Sequence, residues 1–176
     1  MDEKEFLEKH SGLVYNLALR LTGNAADAED LAQDALIRAL KALPGFRGDS
    51  SPATWAYRIT VNTWKNRVRS EKRRAFWKTV SLGFYSGEEE DDGLQIAADE
   101  PPLDKDLETA ETGSLVQKAL LKLDEESRAV IVLREIQGQS YEEIAAALEV
   151  PVGTVKSRLF RAREALKGTL AKQVQP

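Results

Sequence analysis

The stretch SYEEIAAALEVPVGTVKSRLFRAREAL, residues 140–166, reads as a helix, a short turn and a second helix. Ser140 with Glu143 forms the Ser-x-x-Glu capping box that opens a helix, and Ile144, Ala145 and Leu148 recur at helical spacing behind it. Pro151 and Gly153 mark the turn, and Thr154 stands where the next helix is expected to be capped. Val155, Leu159 and Leu166 carry the apolar stripe onward. This is the layout of a helix-turn-helix. Lys156, Ser157, Arg158, Phe160, Arg161 and Arg163 are left to face outward or to flank the stripe. Such a donor-rich face suits the major groove, where Arg and Lys donate to guanine O6 and N7. A basic helix that is merely solvated satisfies the same pattern. Phe160 fits a core position and a thymine-methyl contact equally well.

Upstream, two more helical segments are expected near 114–123 and 125–137, and the helix-turn-helix pair itself near 140–148 and 154–170. Before them, Ser81 to Gly113 breaks the helical periodicity with GEEEDDG (87–93) and ADEPPLD (98–104). Its charge and its Pro and Gly content keep it from burying enough apolar surface to offset ordering, so it reads as a flexible acidic linker. It fits a solvated spacer, or an acidic strand that mimics nucleic acid or fills a partner's basic channel.

On the amino-terminal side, Phe6, Leu7, Leu13, Val14, Leu17 and Leu21 define one amphipathic helix, and Leu31, Ala35 and Leu36 begin a second that ends near Leu43. Asn24 and Asp27 are candidate caps for the second. Ser51-Pro52, an N-cap residue followed by proline at the first helical position, announces a third helix running to about Lys78. That helix, SPATWAYRITVNTWKNRVRSEKRRAFWK (51–78), carries eight Lys/Arg over residues 58–78, with Glu71 its one acid. Asn62 and Asn66 lie four apart and so share a face, beside Arg58, Lys65 and Arg69. Asparagine reads base edges and aromatic rings stack on unpaired bases. Trp55, Tyr57 and Trp64 fit core packing or stacking on a base, with core favoured for Trp55 and the two readings even for Trp64. No β-like alternation of useful length and no internal repeat is present. The fold class expected is all-α, with two small helical domains at 1–80 and 114–176 and the acidic linker at 81–113.

The net charge of −4 is unevenly spread: residues 1–78 carry 14 Lys/Arg against 10 Asp/Glu, residues 79–113 carry 1 against 11, and residues 114–176 carry 10 against 8. Two basic blocks flank an acidic connector, and local fields rather than net charge steer a phosphate backbone. There are no cysteines, which excludes disulfides, thiolate zinc sites and thiol-based oxidant sensing. No apolar run approaches the ~18 residues of a membrane span, and MDEKEFLEK lacks the basic-then-apolar form of a signal sequence. A cytoplasmic location is expected. The single histidine, His10, is expected on a helix surface, since no partners for catalysis or metal binding are visible.

The stretches DAEDLAQDALIRALKAL (27–43), FRGDSSPATWAYRITVNTWKN (46–66) and LREIQGQSYEEIAAALEVPVGTVKSRLFRAREAL (133–166) together resemble the extracytoplasmic-function sigma factors over nearly the whole chain. In that family sigma region 2 and sigma region 4 are joined by a flexible linker. The resemblance implies a factor that binds core RNA polymerase and directs it to promoters, in a stress or envelope response, with no cofactor, metal or small-molecule substrate and no catalysis of its own. It implies that Asp30, Gln33 and Asp34 contact the β′ clamp helices, although a solvated helix face has the same appearance. It assigns the loop Phe46, Arg47, Gly48, Asp49 and Ser50 to capture of a base flipped from the minus-ten element. Arg58, Asn62, Lys65 and Asn66 fall to the same element. Thr154, Lys156, Ser157, Arg158, Phe160 and Arg161 fall to the minus-thirty-five element. Further partners implied are the β flap and an anti-sigma protein, in many cases membrane-bound.

Two other classes fit parts of the chain. A dimeric helix-turn-helix repressor or activator would need a dimer surface or sensor domain and leaves the basic third helix unexplained. A nuclease built on the carboxylates of 88–92 would need a fixed metal geometry that adjacent like charges in a linker do not supply.

Overall fold

A computed structural model of the chain describes residues 2–83 and 107–174. Among these are seven α-helices and no strand: α1 (Glu3–Thr22), α2 (Ala25–Ala42), α3 (Pro52–Gly83), α4 (Leu107–Leu121), α5 (Glu125–Ile131), α6 (Tyr141–Leu148) and α7 (Val152–Val174). A 3-10 turn, Leu43–Gly45, follows α2, and a π-helical turn, Val132–Ile136, extends α5.

Local chemistry sets the ends of α1 to α3. Asp2 Oδ1 accepts from the Glu5 amide at 2.7 Å to start α1. Gly23, at φ +85°, ends it by donating its amide to the Leu19 carbonyl. Asn24 then caps α2, accepting from the Asp27 amide at 2.9 Å, and Ser51 caps α3, accepting from the Thr54 amide at 3.0 Å with Pro52 in the first turn. Asn24 is thus the α2 cap, and Asp27 lies in its first turn. The three helices bury Phe6, Val14, Leu17 and Leu21 against Leu31 and Val61. The face of α2 turned inward is built from Ala28, Ala32, Ala35 and Ala39, small enough to let the helices approach closely. Each fully buried Leu or Phe contributes about 1.5–3 kcal/mol relative to exposure.

His10 departs from expectation. It lies on the buried face of α1, its ring 4.9 Å from that of Phe6, with Nδ1 buried and unpartnered. Periodicity could have placed it there, four residues after Phe6 and before Val14. Burial, with Lys9 adding a smaller repulsion, lowers its pKa below the ordinary 6.5. The unfolded chain therefore binds this proton more readily than the folded one, so stability falls as pH drops through 6.5 toward the lowered folded value. Thermal unfolding between pH 7 and 5 should show wild type losing ground steadily to His10→Leu; a constant gap would contradict the burial cost.

Helices α4 to α7 form the second unit. Asp124 caps α5 through the Ser127 amide at 2.9 Å. At the π turn the Gln137 amide reaches back to the Val132 carbonyl, and this wider turn leads into the loop before α6. Both bonds of the Ser140–Glu143 capping box form, at 2.8 and 3.1 Å. The turn of the helix-turn-helix differs in detail from the sequence reading. Glu149, not a glycine, takes the left-handed conformation that ends α6 (φ 56°, ψ 46°). Helix α7 starts at Val152, with the Thr154 and Val155 amides both donating to the Pro151 carbonyl. Thr154 and Gly153 therefore sit inside the first turn, because the opening hydrogen bonds of the helix already close on the Pro151 carbonyl, three residues ahead of Thr154. Helix α4 begins at Leu107, seven residues earlier than periodicity suggests; the acidic run 88–92 lies outside the described residues.

The two units pack against each other, a point the sequence left open. One apolar cluster runs from Phe6 through Trp64 to Leu120, Ile131 and Leu159. At the seam Gly23 approaches Leu121 so closely that a Cβ on it would lie 2.6 Å from Leu121 Cδ1. Arg128 bridges the units, donating to the carbonyls of Leu120, Leu121 and Leu123 in its own unit and to that of Leu21 at 2.9 Å in the other.

Candidate nucleic-acid interface

One basic residue of α3 and one of α7 converge on an acid of α5 across this seam. Arg158, in the second turn of α7, lies against the Glu126 carboxylate as an ion pair, without a hydrogen bond between the two buried atoms. The other oxygen of that carboxylate accepts from Lys65 Nζ of α3 at 2.8 Å. Lys65 and Arg158 retain 15% and 22% side-chain exposure, so each is largely withdrawn from solvent in this arrangement. Alongside, Lys72 pairs with Glu125 at 2.6 Å, which draws the Glu125 pKa down, and Arg58 lies 3.7 Å from Glu149. Uncharged contacts continue the seam. The Tyr57 hydroxyl donates to Gln137 Oε1 at 2.9 Å, its pKa raised by burial and by Glu143, and Thr54 donates to Gln139 at 3.1 Å.

The remaining candidate residues fall into three places. Asp30 and Gln33 are exposed on α2, whereas Asp34 is tied by Arg67 of α3, which also donates to the Asp30 carbonyl. In the loop, Arg47, Gly48 and Asp49 are exposed and Ser50 is half-buried. Phe46 is anchored, its ring 5.0 Å from that of Trp55, which in turn meets Phe6 edge-on. On α3, Asn66 is exposed and Asn62 half-buried. Trp64 and Tyr57 are core residues, Trp64 lying under the Arg128 guanidinium at 5.5 Å.

On α7, Lys156, Ser157 and Arg161 are exposed, and Thr154 is half-buried. Ser157 donates to the Thr154 carbonyl at 3.0 Å, and Arg161 Nε reaches the Ser157 carbonyl at 3.4 Å, which steadies the guanidinium along the helix surface. Phe160 is 68% exposed, so it is not a core residue. Farther along, Arg163 pairs with Glu135 of the π turn, which raises the arginine's pKa. This pair and Lys167, with the apolar Ile131, Leu166 and Leu170, line an open groove of 610 Å³. Among the described residues no group of three His, Cys, Asp or Glu side chains could hold a metal ion, and no helix is long and apolar enough to cross a membrane.

Comparison with known families finds two matches along the chain. Residues 6–74 match Sigma-70 region 2, and residues 114–166 match Sigma-70 region 4. The chain is an extracytoplasmic-function sigma factor of the sigma-70 family. It is 39% identical over 169 residues to the RNA polymerase sigma-H factor of Pseudomonas aeruginosa, covering 92% of this chain and 82% of that one. To the ECF RNA polymerase sigma-E factor of Escherichia coli K12 it is 41% identical over 152 residues, 86% and 76% of the respective chains. Among solved structures it superposes on the sigma factor RpoE of Bartonella quintana, solved with the anti-sigma factor NepR, with a TM-score of 0.70 at 27% identity over 98% of both chains. CnrH, solved with the cytosolic domain of CnrY, gives a TM-score of 0.63 at 26% identity, covering 97% of this chain and 88% of that one. This sigma factor therefore partners RNA polymerase in promoter-directed transcription, and the repressor reading is not favoured.

The residues that sequence reasoning missed are those that join the regions: Glu126, Arg128, Gln137 and Glu149. Glu126 had one legible feature, its place in the acidic first turn of a helix, which the dipole explains without any partner.

Proposed function

We propose that region 2 reads the minus-ten element through Arg58, Asn62, Lys65 and Asn66 with the loop 46–50, and that region 4 reads the minus-thirty-five element through Lys156, Ser157, Arg158, Phe160 and Arg161, with Thr154 at the helix start. The observation that carries this reading is the cationic lining of α3 and α7, whose present counter-ions are carboxylates of the same chain. Those carboxylates occupy Arg58, Lys65 and Arg158, so DNA contact through these three requires the regions to part. Polymerase binding supplies the free energy for parting. Asp30 and Gln33, with Asp34 holding Arg67 behind them, form the surface for the β′ clamp helices. The groove between the π turn and α7, lined by apolar and charged side chains, takes the β flap in the manner of a helix seated in a groove. Once the two elements are spaced by polymerase, a base unstacked from the minus-ten duplex enters the loop, and no covalent step occurs on this chain. An anti-sigma protein covering the polymerase-binding surfaces would hold the factor inactive.

Run-off transcription with purified core polymerase tests the reading. Promoter-specific product should appear only with this chain added, and Asn62→Ala with Asn66→Ala should lower open-complex formation at least tenfold while leaving polymerase affinity unchanged, each base-edge contact being worth about 1–3 kcal/mol. Loss of polymerase binding in that double variant would remove α3 from the DNA-reading role.

A further inference from the structure

Glu126 holds two cations that belong to different DNA-reading surfaces. Its Oε1 accepts from Lys65 of region 2 and its Oε2 pairs with Arg158 of region 4. Closing the regions brings these two positive charges to one point, which is unfavourable unless an anion stands between them. Glu126 is that anion. The neighbouring pairs, Lys72 with Glu125 and Arg58 with Glu149, each neutralise one cation and are more exposed; surface pairs of that kind contribute little. The shared carboxylate is the one whose loss would turn attraction into repulsion.

We propose that Glu126 is an internal latch: its carboxylate stands in for a DNA phosphate, keeps the two reading surfaces closed in the unbound factor, and is displaced when phosphodiesters supply Lys65 and Arg158 with separate anions. Lysine and arginine are drawn to a carboxylate or a phosphate oxygen by the same charge attraction. Closure and promoter binding thus compete for the same two side chains. The phosphate half of the proposal rests on the DNA-reading roles assigned above; the latch itself does not.

The absence of cysteine makes a direct test simple. Cysteines introduced at Glu8→Cys and Lys172→Cys, both exposed and in different regions, take spin labels for distance measurement in the full chain. Wild type should give one narrow distance. Glu126→Gln should shift roughly tenfold toward a longer, broader population, and Glu126→Lys further still, with helix content by circular dichroism unchanged. Glu164→Lys, a charge change elsewhere on the exposed surface, should leave the distance alone. In parallel, affinity of the polymerase-free protein for a labelled DNA duplex should rise in step with opening. If both Glu126 variants keep the wild-type distance, the latch is wrong, whatever the transcription assays give. If they open and duplex affinity does not rise, the phosphate competition is wrong and the DNA roles of Lys65 and Arg158 fall with it. Should Glu126→Lys fail to fold, Glu126→Gln decides.

Discussion

Arg128→Ala is expected to destabilise the protein by about 2–4 kcal/mol and to uncouple the unfolding of its two regions. The guanidinium ends both α4 and α1: it donates to the carbonyls of Leu120, Leu121 and Leu123 at 2.8 to 3.0 Å and to the carbonyl of Leu21 at 2.9 Å. Helix C-termini leave carbonyls without intrahelical donors, and here one side chain serves two of them. It also lies over the Trp64 ring. Burial lowers its pKa, with Glu125 and Asp124 opposing that shift, so holding the charge there has its own cost and the net loss is smaller than four charged hydrogen bonds would suggest. Lysine cannot span four carbonyls with its compact ammonium, so Arg128→Lys should recover less than half of the loss. Urea titration gives the stability and scanning calorimetry the coupling: wild type should melt in one transition and Arg128→Ala in two. A variant within 0.5 kcal/mol of wild type, about the limit of an ordinary surface change, would show that water replaces the guanidinium at no cost.

Arg161→Ala should weaken recognition of the upstream promoter element by about 1–3 kcal/mol, or roughly 5- to 150-fold, without changing polymerase affinity. Arg161 is exposed and steadied by the Ser157 carbonyl, and among the described residues no ion pair across the seam ties it down. That separates it from Arg158, whose removal would disturb both closure and DNA contact through Glu126. The check is run-off transcription on two templates, one with the upstream element intact and one with it scrambled. The variant should be defective on the first and equal to wild type on the second. Equal defects on both would place Arg161 in polymerase binding or in non-specific phosphate contact.

The helices were legible because their signals are local. Ser51-Pro52, Asn24 and the Ser140–Glu143 box each act within one turn, and the structure forms the bonds each implies. The apolar stripes likewise placed Phe6, Leu31, Ile144 and Leu159 in the core. Errors arose where two local signals competed. Pro151 opens α7 through its carbonyl, so the helix begins ahead of the expected Thr154 cap. His10 follows the spacing of the α1 apolar stripe, not its polarity. The contacts joining the regions could not be read at all: Lys65 and Glu126 are 61 residues apart, and Arg128 and Leu21 are 107. No periodicity links such positions, and each side chain, taken in its own helix, looks like an ordinary surface charge. The candidate DNA residues were legible as chemistry, but that they meet one another in the folded chain was not.

The position of Trp64 gives the molecule a built-in optical signal. Of three tryptophans, Trp64 is 4% exposed beneath a cation from the other region, Trp55 is half-buried within its own bundle, and Trp77 is 64% exposed on the far end of α3. Parting the regions would remove the cation from the Trp64 ring and admit water, while the surroundings of the other two indoles stay as they are. Emission from the unlabelled protein should therefore shift to the red on opening, and with Trp55→Phe and Trp77→Phe in place the change belongs to one residue. Stopped-flow mixing with polymerase would then give the rate of opening without any added dye.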